Sequence, residues 1–145
     1  MLIAELETFS YEKRYWYPHM KPNDVAIWER FIANYPEAYD YCQYDVLVGS
    51  DPEFDTTVTP DTGGDEWKLY QKKIDVVGLK GEDITIIELK PKAGASAVGQ
   101  IKMYRRLYIK DYSPAKAPDM VIITDEISPD TREFARDEGV KIIVV

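Results

Sequence analysis

The chain has one cysteine, one histidine and no long apolar run. A single cysteine, Cys42, excludes an internal disulfide and a zinc cluster built on several cysteines. With His19 as the only histidine, a Ser/His or Cys/His catalytic arrangement is unpromising. No apolar run approaches the ~18 residues of a membrane span, and residues 1–7 are too short and too acidic for a signal peptide. We therefore expect a cytoplasmic protein without membrane contact.

The 145 residues, 45% of them apolar, predict one globular domain. A net charge of −8 argues against a general nucleic-acid-binding surface. The charge is unevenly distributed, however, because residues 68–110 carry +6 and the remainder carries −14. A locally basic segment suits a phosphate-containing substrate. The acidic remainder would weaken unspecific binding, or would face a protein partner or a second copy of the chain.

The centre of the basic segment predicts a β-hairpin with charged residues inside it. Residues 74–77 and 84–90 are rich in β-branched residues, and Gly81 lies in the turn between them. Asp75, Glu88 and Lys90 interrupt these apolar runs. A charge in a buried strand persists only when it is paired or bound to a metal.

These three charges are expected to converge. Glu88 and Lys90 are two residues apart and project from one face of a strand, and Asp75 on the neighbouring strand can reach that face. Two carboxylates suit a divalent cation such as Mg²⁺, which prefers hard oxygen ligands. A lysine beside the cation can orient a water or offset charge on a phosphate.

Asp75, a gap of twelve residues and then Glu88-Leu89-Lys90 resemble the core motif of the PD-(D/E)xK, restriction-endonuclease-like nuclease superfamily. Ile74 stands where the literal motif has proline. Ten residues beyond Lys90, Gln100 and Tyr104 resemble the Gln-x-x-x-Tyr element of RecB-type members. They lie in a predicted helix, residues 95–109, in which a spacing of four places them on one face.

The resemblance implies a nuclease that uses Mg²⁺ or Mn²⁺ to hydrolyse phosphodiester bonds, foremost in DNA. It implies that Asp75 and Glu88 ligate the metal, with the Leu89 backbone carbonyl as a further ligand, and that Lys90 positions the attacking water. Gln100 and Tyr104 would orient the substrate or the site. The candidate phosphate contacts are Lys92, Lys102, Arg105 and Arg106.

Two upstream residues are further metal candidates under the resemblance. Glu29 lies on a predicted helix before the core sheet, where many members carry a metal-binding Glu; the alternative is an exposed helix acid. His19 matches an upstream metal-binding His of RecB-type enzymes by position alone.

The other elements predict an α/β fold with a mixed central sheet flanked by helices. We assign residues 1–22 to an aromatic-rich N-terminal arm or extension, either a strand or helix that packs on the core or an arm for a partner, and residues 23–145 to the nuclease-like domain. A helix is expected to start at Pro22-Asn23-Asp24, capped by Asn or Asp, and to close at Pro36. Further strands are predicted at 44–49, 120–124 and 140–145, and a helix capped by Ser128 is expected to end at Gly139. The last two strands and this helix predict a parallel β-α-β unit.

Residues 50–66 form a predicted acidic loop, with six acids and no basic residue. It is a lid beside the site, a solvated surface loop, or a DNA-mimicking or partner-contact surface.

The rival functional interpretation is a catalytically silent nuclease-fold protein with a structural or assembly role, for example in a phage particle. The compact, aromatic-rich chain looks like a phage or mobile-element protein, which would place it in the host cytoplasm or the virion. The sequence leaves open endonuclease or exonuclease action, DNA or RNA as substrate, and the oligomeric state.

Overall fold

The computed structural model describes residues 6–49 and 71–145, which form one domain of six strands and three helices. In chain order the elements are β1 (Phe9–Ser10), α1 (Pro22–Asn34), β2 (Tyr41–Val48), β3 (Lys72–Lys80), β4 (Asp83–Ala93), α2 (Ala95–Tyr112), β5 (Asp119–Ile127), α3 (Pro129–Asp137) and β6 (Val140–Val144). The predicted acidic loop, residues 50–66, lies outside the described residues. Within the described ranges, no helix is both long and apolar enough to cross a membrane.

The strands form a mixed sheet in the order β1-β2-β3-β4-β5-β6. Neighbouring strands are antiparallel from β1 to β4 and parallel from β4 to β6. The predicted hairpin is β3–β4, and Gly81 in its turn has a φ of 59°, which glycine adopts without strain. β5, α3 and β6 form the predicted β-α-β unit with parallel strands. The predicted fold class is confirmed.

Helices cover both faces of the sheet, and each face has its own apolar core. On one face α1 packs against β4 and β5. The α1-side core contains Tyr17, Ile27, Trp28, Phe31, Ile32, Cys42, Tyr44, Val76, Ile87, Leu89, Val121 and Ile123. On the other face α2 packs against β2, β4 and β5, while α3 packs against β6. The α2-side core includes Val46, Val48, Ile74, Val77, Ile86, Val98, Ile101, Tyr104, Tyr108 and Ile122.

The two predicted helix starts have different outcomes. Ser128 caps α3 as predicted, because its Oγ accepts a hydrogen bond from the Thr131 backbone N–H at 3.2 Å. The predicted Asn or Asp cap of α1 is wrong. The N-cap residue is Lys21, without a side-chain cap, and the helix already begins at Pro22. Proline presets the φ of a first helical position, so Asp24 lies inside the first turn instead of before it.

The N-terminal residues also take part in the fold. Phe9–Ser10 adds the short strand β1 to the edge of the sheet beside β2. Tyr17 is buried in the α1-side core. Part of the segment assigned to an arm is thus packed against the domain.

Strand β2 changes face at Asp45. Cys42 and Tyr44 lie in the α1-side core, whereas Val46 and Val48 lie in the α2-side core, so the usual alternation of side chains breaks between them. Asp45 has a φ of 54°, a left-handed conformation that Asp tolerates better than most residues. A single left-handed residue re-aims the strand on either side of it. On the neighbouring strand β3, Asp75 lies opposite Asp45, because the register pairs Tyr44 with Val76 and Val46 with Ile74.

Candidate active site

The candidate site lies where β3 and β4 separate. The paired register of the two strands ends at Val76 and Ile87, and the next row would hold Asp75 and Glu88. In that row, side-chain carboxylates accept hydrogen bonds from backbone N–H groups of the opposite strand. Leu89 N–H donates to Asp75 Oδ2 at 2.9 Å, and Asp75 N–H donates to Glu88 Oε1 at 3.4 Å. The two carboxylates therefore brace the separated strands and lie together, as the sequence predicted.

The Asp75–Glu88 pair is electrostatically unfavourable when both groups are ionised. Glu88 is only 3% exposed. Burial, followed by the charge of Asp75, raises the pKa of Glu88 to about 9, and Lys90 acts in the opposite direction. Burial also raises the pKa of Asp75, while its hydrogen bond from Leu89 lowers it. A buried and a half-buried carboxylate in contact, both with raised pKa values, are typical of a functional site.

Lys90 faces a cavity between β4 and the start of α1. The cavity measures about 480 Å³. Its lining comprises Lys21, Pro22, Asn23, Asp24, Leu89, Lys90 and Pro91. Asp24 and Lys90 form a charged cluster with Asp75 and Glu88, and the first two of these four side chains line the cavity.

Asp24 is a member of this cluster that the sequence reasoning treated only as a helix cap. Burial raises the pKa of Asp24, and Lys21 and Lys90 lower it. The charge of Asp24 in turn contributes to the raised pKa of Asp75. The available sequence signal was an acid in the first turn of a helix, which by itself indicates helix stabilisation and nothing about a site fifty residues away.

Gln100 and Tyr104 meet on α2 as their spacing predicted. Gln100 Nε2 donates to Tyr104 Oη at 2.5 Å. Burial raises the pKa of Tyr104, and the charges of Glu88 and Asp75 add to this effect. The Gln100–Tyr104 pair therefore lies within the electrostatic field of the two carboxylates, on the α2 side of the sheet.

The two upstream metal candidates, Glu29 and His19, contact Tyr17 and Asp45 respectively. Glu29 accepts a hydrogen bond from Tyr17 Oη at 3.2 Å. His19 is largely exposed, and its Nε2 lies 3.8 Å from Asp45 Oδ2, which also contacts Lys73 Nζ at 3.4 Å. Asp45, in the row beside Asp75, is thus already compensated by a cation.

The predicted phosphate contacts are spread over the surface. Lys92 Nζ lies 3.9 Å from Glu126, and Lys102 Nζ lies 2.8 Å from Glu138 Oε2. Arg105 Nε donates to the Pro118 carbonyl at 2.6 Å, immediately before β5 and at the end of the sheet opposite Lys90. Arg106 is exposed. The structure thus does not gather these four cations around the carboxylates.

The donor set fits Mg²⁺. Among residues 6–49 and 71–145, no group of three or more His, Cys, Asp or Glu is placed to hold a metal ion. Mg²⁺ needs less than that, because it is commonly held by one or two carboxylates while waters and phosphate oxygens complete its shell. Asp75 and Glu88 offer such a pair, and a bound cation would counteract both burial and the charge of Asp75, which raise the pKa of Glu88.

Comparison with solved structures identifies the fold. The structure of an EndoMS–dsDNA2 complex aligns with a TM-score of 0.51 and 14% identity over 92% of this chain. The chain has a restriction-endonuclease-like fold. A repair endonuclease from Pyrococcus abyssi is also similar, with a TM-score of 0.49 and 17% identity over 92% of this chain.

The likeness extends to only part of those proteins. This chain covers 48% of the EndoMS chain and 49% of the Pyrococcus abyssi endonuclease, so it spans about half their length. No protein-family model and no curated protein sequence matches it. An identity of 14% shows the fold alone, and the chemistry has to be argued from the residues.

Proposed function

We propose that this chain is a metal-dependent nuclease that hydrolyses phosphodiester bonds in DNA, with Mg²⁺ or Mn²⁺ as cofactor. The observation that carries the proposal is the pair of half-buried Asp75 and buried Glu88, braced across the separated strands with Lys90 beside a cavity. A structural ion pair would balance its charges internally. Here two acids lie together and largely out of solvent while Lys90 faces the cavity, and a cation is the balancing charge that we propose.

In this proposal Asp75 and Glu88 hold the metal, and the Leu89 carbonyl is a further candidate ligand. Bound Mg²⁺ would supply Lewis-acid polarisation of a phosphoryl oxygen. Because the side chains are fixed by hydrogen bonds to backbone N–H groups, they are oriented before any ligand arrives. Such preorganisation lowers the cost of assembling the charged site.

Lys90 would act on the substrate rather than on the metal. Its ammonium group can donate hydrogen bonds to the attacking water or to a phosphate oxygen, and it offsets negative charge as the phosphoryl group reacts. Its place on the cavity wall leaves it accessible to a substrate. Gln100 and Tyr104 would support Glu88 from the α2 side, where their mutual hydrogen bond fixes the Tyr104 hydroxyl.

The test is cleavage of linear, circular and single-stranded DNA by the purified protein, in Mg²⁺, in Mn²⁺ and in EDTA. Wild-type protein should cleave only with metal. Lys90→Ala should lower the rate at least ~100-fold, since removing one preorganised electrostatic group typically has an effect of this size. It should retain metal binding, measured by calorimetry, because Lys90 is not a ligand.

Lys141→Ala is the matched control, because Lys141 is an exposed lysine on β6, away from the cavity of Lys90. It should cleave at the wild-type rate. Full activity in Lys90→Ala would remove that residue from the mechanism, and cleavage that persists in EDTA would point to a contaminating enzyme. A phage origin and a place in the host cytoplasm or the virion stay predictions.

A further inference from the structure

A second group of side chains, at residues 13–16, is not used by the carboxylate site. Tyr15 is fully exposed and Trp16 is 67% exposed. They border a shallow cleft of about 390 Å³. Its lining comprises Phe9, Glu12, Lys13, Arg14, Tyr15 and Trp16. Two large aromatic rings presented to solvent next to two cations are unusual for a surface that binds nothing.

The backbone around these rings is anchored. Tyr17 is buried in the α1-side core, and its Oη accepts a hydrogen bond from the Arg14 backbone N–H at 2.9 Å. The Arg14 guanidinium lies 4.9 Å from the centre of the Phe9 ring and 3.7 Å from Glu12. The segment is therefore fixed on both sides of Tyr15 and Trp16, so their exposure is a property of the folded chain.

The exposed rings are connected to the candidate active site by a short stretch of chain. Trp16 and Lys21 are five positions apart in the chain, a distance of at most about 18 Å. Lys21 lines the cavity that Lys90 faces. A strand with one phosphate at Lys90 could therefore place a nearby base at Trp16.

We propose that Tyr15 and Trp16 form a stacking platform for unpaired bases of the nucleic-acid strand that enters the Lys90 cavity. The inference rests on the proposed nuclease function and adds a preference for substrates with single-stranded regions. Flat aromatic rings stack on bases of any sequence, and neighbouring cations hold the backbone phosphates. Lys13 and Arg14 supply that charge at the cleft beside the rings, and Lys21 supplies it at the cavity. A blunt duplex keeps its bases inside the helix and offers the rings nothing to stack on.

The experiment measures binding by fluorescence anisotropy, in EDTA and with Ca²⁺ replacing Mg²⁺. Three labelled DNAs of equal length are compared: a single strand, a duplex with a single-stranded tail, and a blunt duplex. Tyr15→Ala combined with Trp16→Ala should weaken binding of the first two by about 10-fold or more, the size expected for losing a stacked base. Binding of the blunt duplex should change by less than about twofold, because the cations remain.

Two control variants keep the result interpretable. Phe134→Ala removes an aromatic ring of α3 that is 42% exposed, and it should leave all three affinities unchanged. The single variant Trp16→Phe keeps both rings of the platform and should bind the three DNAs with nearly the wild-type affinity. Thermal melts of each variant should match wild type, since exposed substitutions seldom alter stability by more than about 0.5 kcal/mol.

The outcomes separate this platform from the nuclease function. Equal losses on all three DNAs, or no loss on any, would overturn the platform, and the second result would assign the exposed rings to a protein contact. Wild-type protein that binds no DNA would overturn it as well. Lys90-dependent cleavage alongside unchanged binding by the double variant would overturn the platform alone. Binding that depends on the rings, without metal-dependent cleavage of any DNA, would overturn the nuclease and leave the platform.

Discussion

At the residue scale, Asp75 and Glu88 each serve two purposes that conflict. Each carboxylate satisfies a backbone N–H that the separation of β3 and β4 leaves without a ladder partner. Each also loses hydration and repels the other, which raises both pKa values. A residue pair chosen for stability alone would be neutral. The metal ion of the proposed function would offset both charges.

Stability in the absence of metal should fall as the pH rises. Glu88 has a folded-state pKa of about 9, above its ordinary value of 4.5, so the folded protein holds the proton more tightly than the unfolded chain does. Its contribution to the free energy of unfolding is fully present below pH 4.5 and is lost as the pH rises through about 9. Thermal melts in EDTA should show this decline for wild type and a flatter profile for Glu88→Gln.

At pH 8, Glu88→Gln and Asp75→Asn should be as stable as wild type or more stable by about 1 kcal/mol or more, because a neutral amide removes the cost of withdrawing an ionisable carboxyl group from water beside a second one. Mg²⁺ should raise the melting temperature of wild type through binding to the folded state and should not raise that of either variant. Glu133→Gln, at an exposed acid of α3, is the matched control and should behave as wild type.

The opposite result has a distinct signature. If the acids and Lys90 form a closed structural ion-pair cluster, each substitution leaves a buried charge without its partner. Such a loss costs about 3–5 kcal/mol. Large destabilisation together with no Mg²⁺ response in wild type would eliminate the metal site and leave the catalytically silent interpretation.

At the scale of the elements, β3 is shaped by a close contact at Gly78. A Cβ at this position would lie 2.7 Å from Cδ1 and Cε1 of Tyr39. The Tyr39 ring cannot move away easily, because it packs edge-on against Tyr11 and tilted against Phe31. Glycine lets the Tyr39 ring, which comes from the loop between α1 and β2, pack directly on β3.

Gly78→Ala should therefore destabilise the protein by about 1–3 kcal/mol, the usual range for overpacking. The matched change Gly99→Ala lies inside α2, where a new Cβ meets nothing within 4 Å. It should stabilise the protein by about 0.8–1 kcal/mol, the difference in helix propensity between the residues. Denaturant unfolding measures both, and equal effects of the two substitutions would contradict the close contact at Tyr39.

The sequence predicted the elements with strong local patterns and misjudged those defined by partners. The apolar runs at 84–90 and 120–124 lie within β4 and β5, yet both strands extend further because pairing continues through polar residues such as Lys92 and Glu126. Strand β1 has two residues, too few for any periodicity to show. The face change at Asp45 depends on one left-handed residue, which no hydrophobic pattern reveals.

The sequence predicted those contacts of the site that depend on the spacing of residues within one hairpin or one helix. The spacing of Asp75 and Glu88 indicated that a hairpin would bring them together, and the spacing of Gln100 and Tyr104 indicated that they share a helix face. The sequence did not indicate that Asp24 lies near Asp75, because this proximity depends on how α1 packs across the sheet. The cations of α2 were grouped by composition, which does not show that Lys102 and Arg105 bind other parts of the chain.

At the scale of the whole molecule, the distribution of charge limits the surface to which the proposed DNA substrate could bind. The net charge is −8, and the +6 of residues 68–110 is the main counterweight. Part of that positive charge is already compensated, since Lys102 pairs with Glu138. We therefore expect weak, salt-sensitive binding to DNA that is directed to a limited surface.

The salt dependence of binding tests which α2 cation belongs to that surface. Arg106 is exposed, whereas Arg105 is held by the Pro118 carbonyl. Arg106→Ala should lower the slope of log Kobs against log salt concentration by about one, because one phosphate contact is lost. Arg105→Ala should leave the slope unchanged and reduce stability by about 1 kcal/mol through the lost hydrogen bond. Titrations of a duplex at five salt concentrations, with Lys141→Ala as the control, measure the slopes. A fall of about two in the variant with both substitutions would place Arg105 on DNA as well, and an unchanged slope would show that neither arginine contacts DNA.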